Sequence, residues 1–419
     1  NKITSIKGIN DILPGEMEIW EFIEGCAKRI FRDFGYAEIR IPIIEATELF
    51  LRGIGETTDI VQKEMYTFQD RDGKSLTLRP EATAGVVRSY IEHNLGASPA
   101  AQKLFYLGPM FRHERPQAGR LRQFHQYGVE SFGSKSPPAD VEVISLLWRF
   151  LTGLGLPDLT LEINSLGDAS DRPAYKAALL EFLKKREERL CQNCRRRMGT
   201  NPLRVLDCKT PGCKAATEDA PQISDHLSPG SRQHLRDVQA SLGDLGIPYT
   251  LNPRLVRGLD YYTLTAFEVT CRHLGAQNAV GAGGRYDGLV EALGGPSTPA
   301  VGFAVGLERV SLMLPDAAIP SPQKMVFVAA FGQQGVAVGT RVLDELRALG
   351  VRADTDYRAT TLKAHLRQAD RLGAAFVVII GDDEAAKGNL LVRNMHTKEQ
   401  EEFPLATAVR SVASRLKTG

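Results

Sequence analysis

The densest group of residues that could bind a ligand lies between Phe111 and Glu130. Arg112 and Glu114 are two positions apart in a segment of strand-like alternation, so their side chains share one face. Gln126 and Glu130 share a face of a second such segment. If the two strands pair antiparallel, all four side chains converge on one surface. Charged groups on such a face are costly unless a ligand or partner meets them. The spacing therefore predicts a polar ligand site, with a purely structural ion-pair network as the alternative.

The common glycine-rich nucleotide motifs do not occur in this sequence. There is no G-x-x-x-x-G-K-[ST], and GAGGRYDG at 281–288 is not a G-x-G-x-x-G between a strand and a helix. If the chain binds a nucleoside triphosphate, arginines must therefore hold the phosphates, because the guanidinium fork matches phosphate oxygens bidentately.

Four of the six cysteines are clustered with the spacing C-x2-C-x13-C-x4-C, at Cys191, Cys194, Cys208 and Cys213. In a cytosolic chain such a cluster suggests zinc before disulfides, and four thiolates can close a tetrahedral structural site. Reduced thiols that hold no metal are the favoured interpretation. The sequence thus predicts no catalytic metal and leaves a structural zinc open.

A basic segment surrounds these cysteines. Residues 184–214 contain ten lysines and arginines against three acidic residues, a net charge of +7, whereas the whole chain carries +2. Binding to a phosphate backbone requires a patch of this kind. A solvated basic surface without a partner is the alternative.

Length and composition limit the classes of protein to consider. The 419 residues suffice for two or three domains, and 43% apolar with 24% charged residues is typical of globular proteins. Apolar stretches such as 374–380 fall short of the ~20 residues that a membrane-spanning helix needs. The amino end shows no apolar core of a signal peptide, so we expect a cytoplasmic protein that does not enter a membrane.

The candidate site needs elements that bring distant segments together. Apolar residues recur at helical spacing over 18–34, and short alternating segments predict strands. The predicted strands are 37–44, 75–79, 103–112, 122–132, 159–164 and 262–271. Their irregular intervals show no βαβ rhythm, so we predict an antiparallel sheet flanked by helices.

The remaining segments differ in character. Residues 168–246 are charged and helical and separate two strand-rich halves, which indicates an inserted domain. Leu314–Gln323, with three prolines, predicts a linker. Beyond it, alternating strands and helices predict a small α/β domain with a largely parallel sheet: strands 325–331, 351–355, 375–381 and 389–393, and helices 334–349, 361–372 and 405–417.

Three segments resemble the motifs of class II aminoacyl-tRNA synthetases. Arg112, Glu114 two positions later and the polar loop that follows resemble motif 2. Residues 301–309, which end in Arg309, resemble motif 3, a glycine-rich strand that enters a helix. Residues 37–50 resemble motif 1, the dimer-forming helix and strand.

Further segments narrow the resemblance to the histidyl-tRNA synthetase family. LTLRPEATAG at 76–85 and LVRGLDYYTLTAFEV at 255–269 are similar to its two signature segments. GINDILPGE near the start and GGRYDGL at 283–289 are similar to other characteristic blocks. Ala82 stands where glycine is frequent in the family, a change that should be tolerated.

The resemblance implies an α+β fold, the class II antiparallel sheet flanked by helices. A helical domain is inserted in it, and an α/β anticodon-binding domain follows. With the patterns above, it predicts a catalytic core in two parts, 1–167 and 247–322, around an inserted basic domain at 168–246. The anticodon-binding domain is predicted at 323–419.

The residues that the resemblance implies for histidine binding are Glu81, Ala82, Thr83, Gln126, Glu130, Arg257, Tyr261 and Tyr262. Glu81, Thr83 and Gln126 would hold the α-ammonium, a cation with three donors that needs a carboxylate and neutral acceptors. Glu130 and Tyr262 would contact the imidazole. Tyr261 and the 281–286 loop would line the pocket.

For ATP the resemblance implies Arg112, Glu114, Arg120 and Arg309, with Mg²⁺ on the phosphates. Arg112 would bind the α-phosphate and Arg309 the γ-phosphate. Arg257 would lie beside the histidine carboxylate and the α-phosphate, where a cation stabilises the transition state. Arg257 and Arg112 are thus the implied catalytic residues.

The implied activity is the ATP-dependent ligation of L-histidine to tRNA(His) by a homodimer, with no role for DNA. The insertion would bind the acceptor stem and the last domain the anticodon. The alternative is the regulatory subunit of ATP phosphoribosyltransferase, which binds histidine without aminoacylation. That protein usually lacks the anticodon domain and parts of the RGLDYY segment, and this chain has both.

Overall fold

The structure, a computed structural model, describes residues 2–56, 58–98, 100–272, 278–319 and 324–418. The chain divides into two compact units, residues 1–320 and 321–419. The last four residues of the predicted linker, 320–323, and the predicted boundary within them lie outside the described residues. No helix in the described ranges is both long and apolar enough to cross a membrane.

The strands of the first unit form two sheets. They are β1 (Ala37–Glu38), β2 (Ile44–Ala46), β3 (Tyr66–Gln69), β4 (Ser75–Leu78), β5 (Gln102–Phe111), β6 (Gln123–Phe132), β7 (Leu159–Ser165), β8 (Thr250–Leu251), β9 (Thr263–Cys271), β10 (Ala279–Arg285) and β11 (Ala300–Gly306). In the described residues the main sheet has the order β1-β5-β6-β11-β10-β9-β7-β8, and its two edge pairs are parallel while the inner pairs are antiparallel. The predicted antiparallel sheet flanked by helices is confirmed.

The helices of the first unit cover both faces of this sheet and build the inserted segment. They are α1 (Pro14–Asp33), α2 (Thr47–Ile54), α3 (Thr83–Glu92), α4 (Pro137–Gly153), α5 (Arg172–Lys184), α6 (Gln192–Thr200), α7 (Pro211–Ala216), α8 (Pro229–Asp244), α9 (Leu289–Ala292) and α10 (Leu307–Met313). On one face α1, α4, α8 and α10 enclose the largest apolar core, which includes Tyr127 and Val129 of β6. The opposite face packs against α3, and Glu130, between Val129 and Phe132, points to that side.

Several boundaries differ from the predicted ones for local reasons. Helix α1 begins at Pro14 rather than at 18, because proline has the φ of a first helical turn and lacks an N–H that would go unsatisfied there. The predicted strand 37–44 is broken before Pro42 into β1 and β2. The prediction of a loop over 281–286 is wrong, because five of its six residues belong to β10. Glycines hid the strand pattern there.

The inserted segment contributes to two cores. Helices α5, α6 and α7 surround a small core of their own, which contains Leu179, Met198 and Leu206. Helix α8 instead packs against α4, and its Val238 and Leu242 belong to the main core.

The second unit is a five-stranded sheet with helices. Its elements are β12 (Val326–Ala330), α11 (Gln333–Ala348), β13 (Ala353–Asp354), α12 (Leu362–Arg371), β14 (Phe376–Ile380), α13 (Asp382–Lys387), β15 (Asn389–Asn394), β16 (Gln400–Pro404) and α14 (Leu405–Thr418). In the order β13-β12-β14-β15-β16 the first two pairings are parallel and the last two antiparallel. The prediction of a largely parallel sheet is therefore wrong. Strand β16, with the polar sequence QEEFP, was not recognised as a strand.

Candidate active site

A cleft of about 320 Å³ opens over the sheet face that packs against α3. It brings together most of the residues singled out in the sequence: Glu81, Thr83, Arg112, Glu114, Arg120, Gln126, Glu130, Arg257, Tyr261, Tyr262 and Arg309. Ala82 lies in the adjoining core and is fully buried. Segments more than 200 residues apart in sequence thus share one site.

Glu130 forms part of the cleft wall from the middle of β6. Thr83 donates its hydroxyl to Oε1 of Glu130 at 2.7 Å, and the Tyr286 hydroxyl donates to Oε2. Burial raises the pKa of Glu130 to about 8 in spite of these two donors. A ligand that donates a hydrogen bond or carries a positive charge would therefore shift the protonation equilibrium of Glu130 toward the carboxylate.

Glu81 is held at the start of α3. Its carboxylate accepts the backbone N–H of Thr83 at 2.7 Å and that of Ala84 at 2.9 Å. These are among the N–H groups that a helix leaves unpaired at its first turn, and they fix the orientation of the carboxylate. Burial nevertheless raises the pKa of Glu81. A carboxylate has about four acceptor positions, so acceptor capacity remains for a ligand.

Gly302 makes room for the Glu130 carboxylate. It lies opposite Glu130 in the register of β6 and β11. A Cβ atom built at Gly302 would overlap Oε2 of Glu130. Glycine at this position therefore lets the sheet hold a carboxyl group between two strands.

Gln126, Tyr261 and Tyr262 also line the cleft, and Tyr286 packs beside them. Oε1 of Gln126 is shielded from solvent and has no hydrogen-bond partner among the described residues. The rings of Tyr261 and Tyr262 are 4.6 Å apart between centroids, and Tyr261 lies 5.6 Å from Tyr286. Since a buried acceptor without a partner is costly, Gln126 is suited to accept a hydrogen bond from a ligand.

Arg257 lies in the wall of the cleft with a fixed partner. It donates from Nη1 to Oε2 of Glu268 at 2.8 Å, and its guanidinium carbon is 5.5 Å from the Tyr262 ring centroid. Burial acts to lower the pKa of Arg257, but Tyr262 and the negative charge of Glu268 outweigh it, so that the pKa is raised. The cation is therefore permanently charged and held in position.

Three further arginines line the cleft. Arg112 donates from Nε to the carbonyl of Pro80 at 2.8 Å, and Arg309 donates from Nη1 to the carbonyl of Ala279 at 2.6 Å. Arg120 pairs with Glu114. Burial lowers the pKa of Arg112, Arg120 and Arg309, and neighbouring arginines lower the last two further. Cations that repel one another favour an anionic ligand with several charges.

Arg285, in the GGRYDGL segment, does not line this cleft. It is fully buried and pairs with Asp140 of α4, with Nε 3.0 Å from Oδ1, and with Asp287. His234 of α8 shares the same Asp140 carboxylate at 2.7 Å. Of the segment expected to line the pocket, Gly281 and Ala282 do so, whereas Arg285 connects the sheet to two helices.

Sequence reasoning missed Glu268 and Glu308 as residues of the cleft. Glu268 lies within the 255–269 segment, but its pairing with Arg257 depends on how β9 and the preceding loop fold together. Glu308 accepts the backbone N–H of His125 at 2.9 Å and contacts its ring, which gives this histidine a structural partner.

Two family models, several relatives and a solved structure match this chain over most or all of its length. The family model described as histidyl-tRNA synthetase matches residues 8–310, and the one described as anticodon binding domain matches residues 325–415. The histidine–tRNA ligase of Desulfatibacillum aliphaticivorans is 51% identical over 421 residues, with 100% of both chains covered. That of Pelotomaculum thermopropionicum is 52% identical over 405 residues, which cover 96% of this chain and 95% of the relative. The solved structure of apo S. aureus histidyl-tRNA synthetase matches with a TM-score of 0.83 at 39% identity, covering 98% of this chain and 100% of that one.

The raised pKa of Glu130 predicts a pH-dependent stability. Between pH 4.5 and about 8 the carboxyl ionises in the unfolded chain but stays protonated when folded, so its burial destabilises the fold increasingly as pH rises. Glu130→Gln keeps the shape and cannot ionise. At pH 7.5 we expect it to stabilise the ligand-free protein by about 2–4 kcal/mol, a gain that vanishes near pH 4.5.

Thermal unfolding of both proteins across this pH range measures the difference. Glu48→Gln is the control, since Glu48 is 66% exposed and pairs with Arg52 on the surface. A difference between wild type and Glu130→Gln that does not change with pH would contradict the assignment.

Proposed function

The chain belongs to the histidyl-tRNA synthetase family, and we propose on that basis that it ligates L-histidine to tRNA(His). Histidine and ATP give histidyl-adenylate and pyrophosphate, and the histidyl group then passes to the terminal ribose of the tRNA, which releases AMP. The observation that carries the proposal is the composition of the cleft. Two buried carboxyl groups and three mutually repelling arginines line the same cleft, which suits an amino acid beside a triphosphate.

Glu81, Thr83 and Gln126 are proposed to bind the α-ammonium of histidine. The fixed Glu81 carboxylate and the partnerless Gln126 oxygen support this assignment. Thr83 already donates its hydroxyl to Glu130, so its oxygen retains acceptor capacity toward the ammonium. Ala82 is proposed to contribute through the backbone turn that leads into α3.

Glu130 and Tyr262 are proposed to contact the two imidazole nitrogens, with Tyr261 packed beside them. An amino acid without two ring nitrogens would leave the remaining hydrogen-bonding capacity of the buried Glu130 and Tyr262 unused. Sites of this kind reject analogues that lack the hydrogen-bonding group by 10⁴–10⁵, roughly, because the desolvated partners are left unsatisfied. Selection against other side chains then needs no separate editing site.

ATP is proposed to bind beside the three mutually repelling arginines of the cleft. Arg112 would contact the α-phosphate and Arg309 the γ-phosphate. Glu114 and Arg120 pair with each other in the same wall. Mg²⁺ usually takes its ligands from phosphates and one or two carboxylates. Glu114 and Glu268 line the cleft but both already pair with arginine, so phosphate oxygens would supply most of the ligands.

The first step requires the histidine carboxylate to attack the α-phosphorus as the bond to the β-phosphate oxygen breaks. The attacking carboxylate is already ionised, so no general base is required. Arg257, fixed by Glu268, and Arg112 are proposed to stabilise the charge that develops on the α-phosphate oxygens. Positioning and electrostatic stabilisation then account for the rate.

The second unit is proposed to read the anticodon of tRNA(His), since residues 325–415 match an anticodon-binding family. Unpaired anticodon bases present the edges that proteins can read. This unit also makes the regulatory-subunit alternative the less supported one. We further propose a homodimer formed through motif 1, and the cytoplasm as its location.

The basic insertion is proposed to bind the acceptor stem, but not with every arginine in it. Arg195 donates to the carbonyls of Leu190 and Glu188 at 3.0 and 2.9 Å, and Arg197 pairs with Asp59 at 2.5 Å. Arg195 thus supports the fold of the insertion, and Arg197 joins the insertion to the segment that carries Asp59. Arg196 is half exposed and lies 3.9 Å from the same Asp59, so with its longer ion pair it is the better candidate for a phosphate contact.

The direct test of the function is charging of tRNA. With histidine, ATP and Mg²⁺, the purified chain should esterify tRNA(His) and leave other tRNAs uncharged. Binding of histidine without formation of adenylate would favour the regulatory alternative.

Deletion of residues 324–419 should separate the two steps. The residues assigned to the substrates all precede this segment, and the chain divides at residue 320. We expect pyrophosphate exchange to be largely retained and charging to fall through weaker tRNA binding. The truncated protein is first shown to be folded and in the same oligomeric state. Unchanged tRNA affinity and charging would contradict the anticodon assignment.

Arg257→Ala should slow histidine activation about 10²–10³-fold with smaller changes in substrate binding, because the cation acts mainly on the transition state. Transfer from preformed adenylate should suffer much less, since pyrophosphate has already left. Arg257→Lys should rescue only in part, as it lacks the guanidinium fork. Single-turnover measurement of each half-reaction decides, with Arg32→Ala as the control, since Arg32 is an exposed arginine of α1 that pairs with Glu38 at 3.9 Å. Equal losses in both half-reactions would show a structural role.

A further inference from the structure

The four clustered cysteines meet in space although they come from two separate turns of the insertion. One Sγ atom from each of Cys191, Cys194, Cys208 and Cys213 lies within 4.8 Å of all the others. None of the four is joined in a disulfide. They are not among the residues that line the cleft, so the proposed reaction does not account for them.

The geometry of the cluster is close to that of a tetrahedral metal site. Four thiolates at a Zn–S distance of about 2.3 Å are separated by about 3.8 Å from one another. Sγ of Cys191 and Sγ of Cys208 are 4.0 Å apart, and the backbone N–H of Cys191 donates to Sγ of Cys213 at 3.1 Å. A hydrogen bond of this kind orients a ligand sulfur and stabilises its negative charge.

Three of the four cysteines lie at the start of a short helix. Cys191 directly precedes α6 and Cys194 lies in its first turn, and Cys213 lies in the first turn of α7. These helices have nine and six residues, too few to be stable without tertiary contacts. The small core around these helices stabilises them only in part, and a cross-link between their first turns would add to their stability.

The charge of the segment matches such a centre. Four thiolates and one Zn²⁺ carry a net charge of −2, and residues 184–214 carry +7 without them. A soft, fourfold thiolate set in this setting selects zinc over the harder Mg²⁺ or Ca²⁺.

We propose that Cys191, Cys194, Cys208 and Cys213 bind one structural Zn²⁺ that holds α6 and α7 together. Binding displaces the thiol protons and leaves no open coordination position, so the metal takes no part in the chemistry. The site fixes the segment whose Arg204 donates to the carbonyl of Gly258 at 2.7 Å and whose Asn201 contacts Asp260 at 2.6 Å. The metal would therefore stabilise the packing of the insertion on the segment before β9, which carries Arg257.

Elemental analysis of the full chain tests the proposal. The protein is expressed with zinc, purified without a metal-binding tag under reducing conditions, and dialysed. We expect about one zinc per chain, and we expect Cys194→Ser and Cys213→Ser each to lose it. Cys271→Ser is the matched control, because Cys271 is also buried but lies in β9 and donates to the carbonyl of Pro157. This variant should keep its zinc.

A second measurement on the wild-type protein covers the case that the serine variants fail to fold. Titration with an organomercurial should release the zinc as the clustered thiols react, and cobalt substitution should give the intense spectrum of tetrahedral thiolate coordination. Removal of zinc should also expose residues 187–217 to proteolysis. Protein that stays zinc-free after reconstitution, or a disulfide between two of these cysteines under reducing conditions, would overturn the proposal. Neither result would alter the test of tRNA charging.

Discussion

Two carboxyl groups buried on one face of the sheet impose the main constraint on the catalytic unit. Burial raises the pKa of both Glu81 and Glu130. The charge of Glu81 further raises the free energy needed to ionise Glu130. The surrounding chain compensates with the first turn of α3, the hydroxyls of Thr83 and Tyr286, and the space left by Gly302. Each of these features makes sense as support for carboxyl groups that await a ligand.

The cleft therefore combines buried carboxyl groups with a group of arginines. Carboxyl groups lie where the amino acid is proposed to bind, and arginines lie where the phosphates are proposed to bind. Arg257 lies between these functions, with Glu268 holding its guanidinium. Bound histidine and ATP would each relieve a repulsion that the empty cleft retains. The repulsion between these groups reduces the stability of the fold around the cleft, whereas the same groups serve binding and catalysis.

The sequence made the main sheet and much of the candidate site predictable, because strand alternation places Arg112, Gln126 and Glu130 by simple periodicity. Family resemblance was needed for Glu81 and Arg257, which no local pattern connects to β6. Glycine-rich β10 could not be recognised, since alternation of side chains is absent where side chains are absent. The pairing of Arg285 with Asp140 depends on tertiary packing, and so its burial was missed. Spacing alone also left the four cysteines undecided, because it does not fix the distances between sulfur atoms.

The central claim is that this cleft activates histidine and no other amino acid. Pyrophosphate exchange with ATP, measured with each of the twenty amino acids in turn, tests it most directly. The account predicts exchange that requires histidine, with the other nineteen at background. Exchange with a different amino acid, or none with any of them in a folded protein that binds histidine, would contradict it.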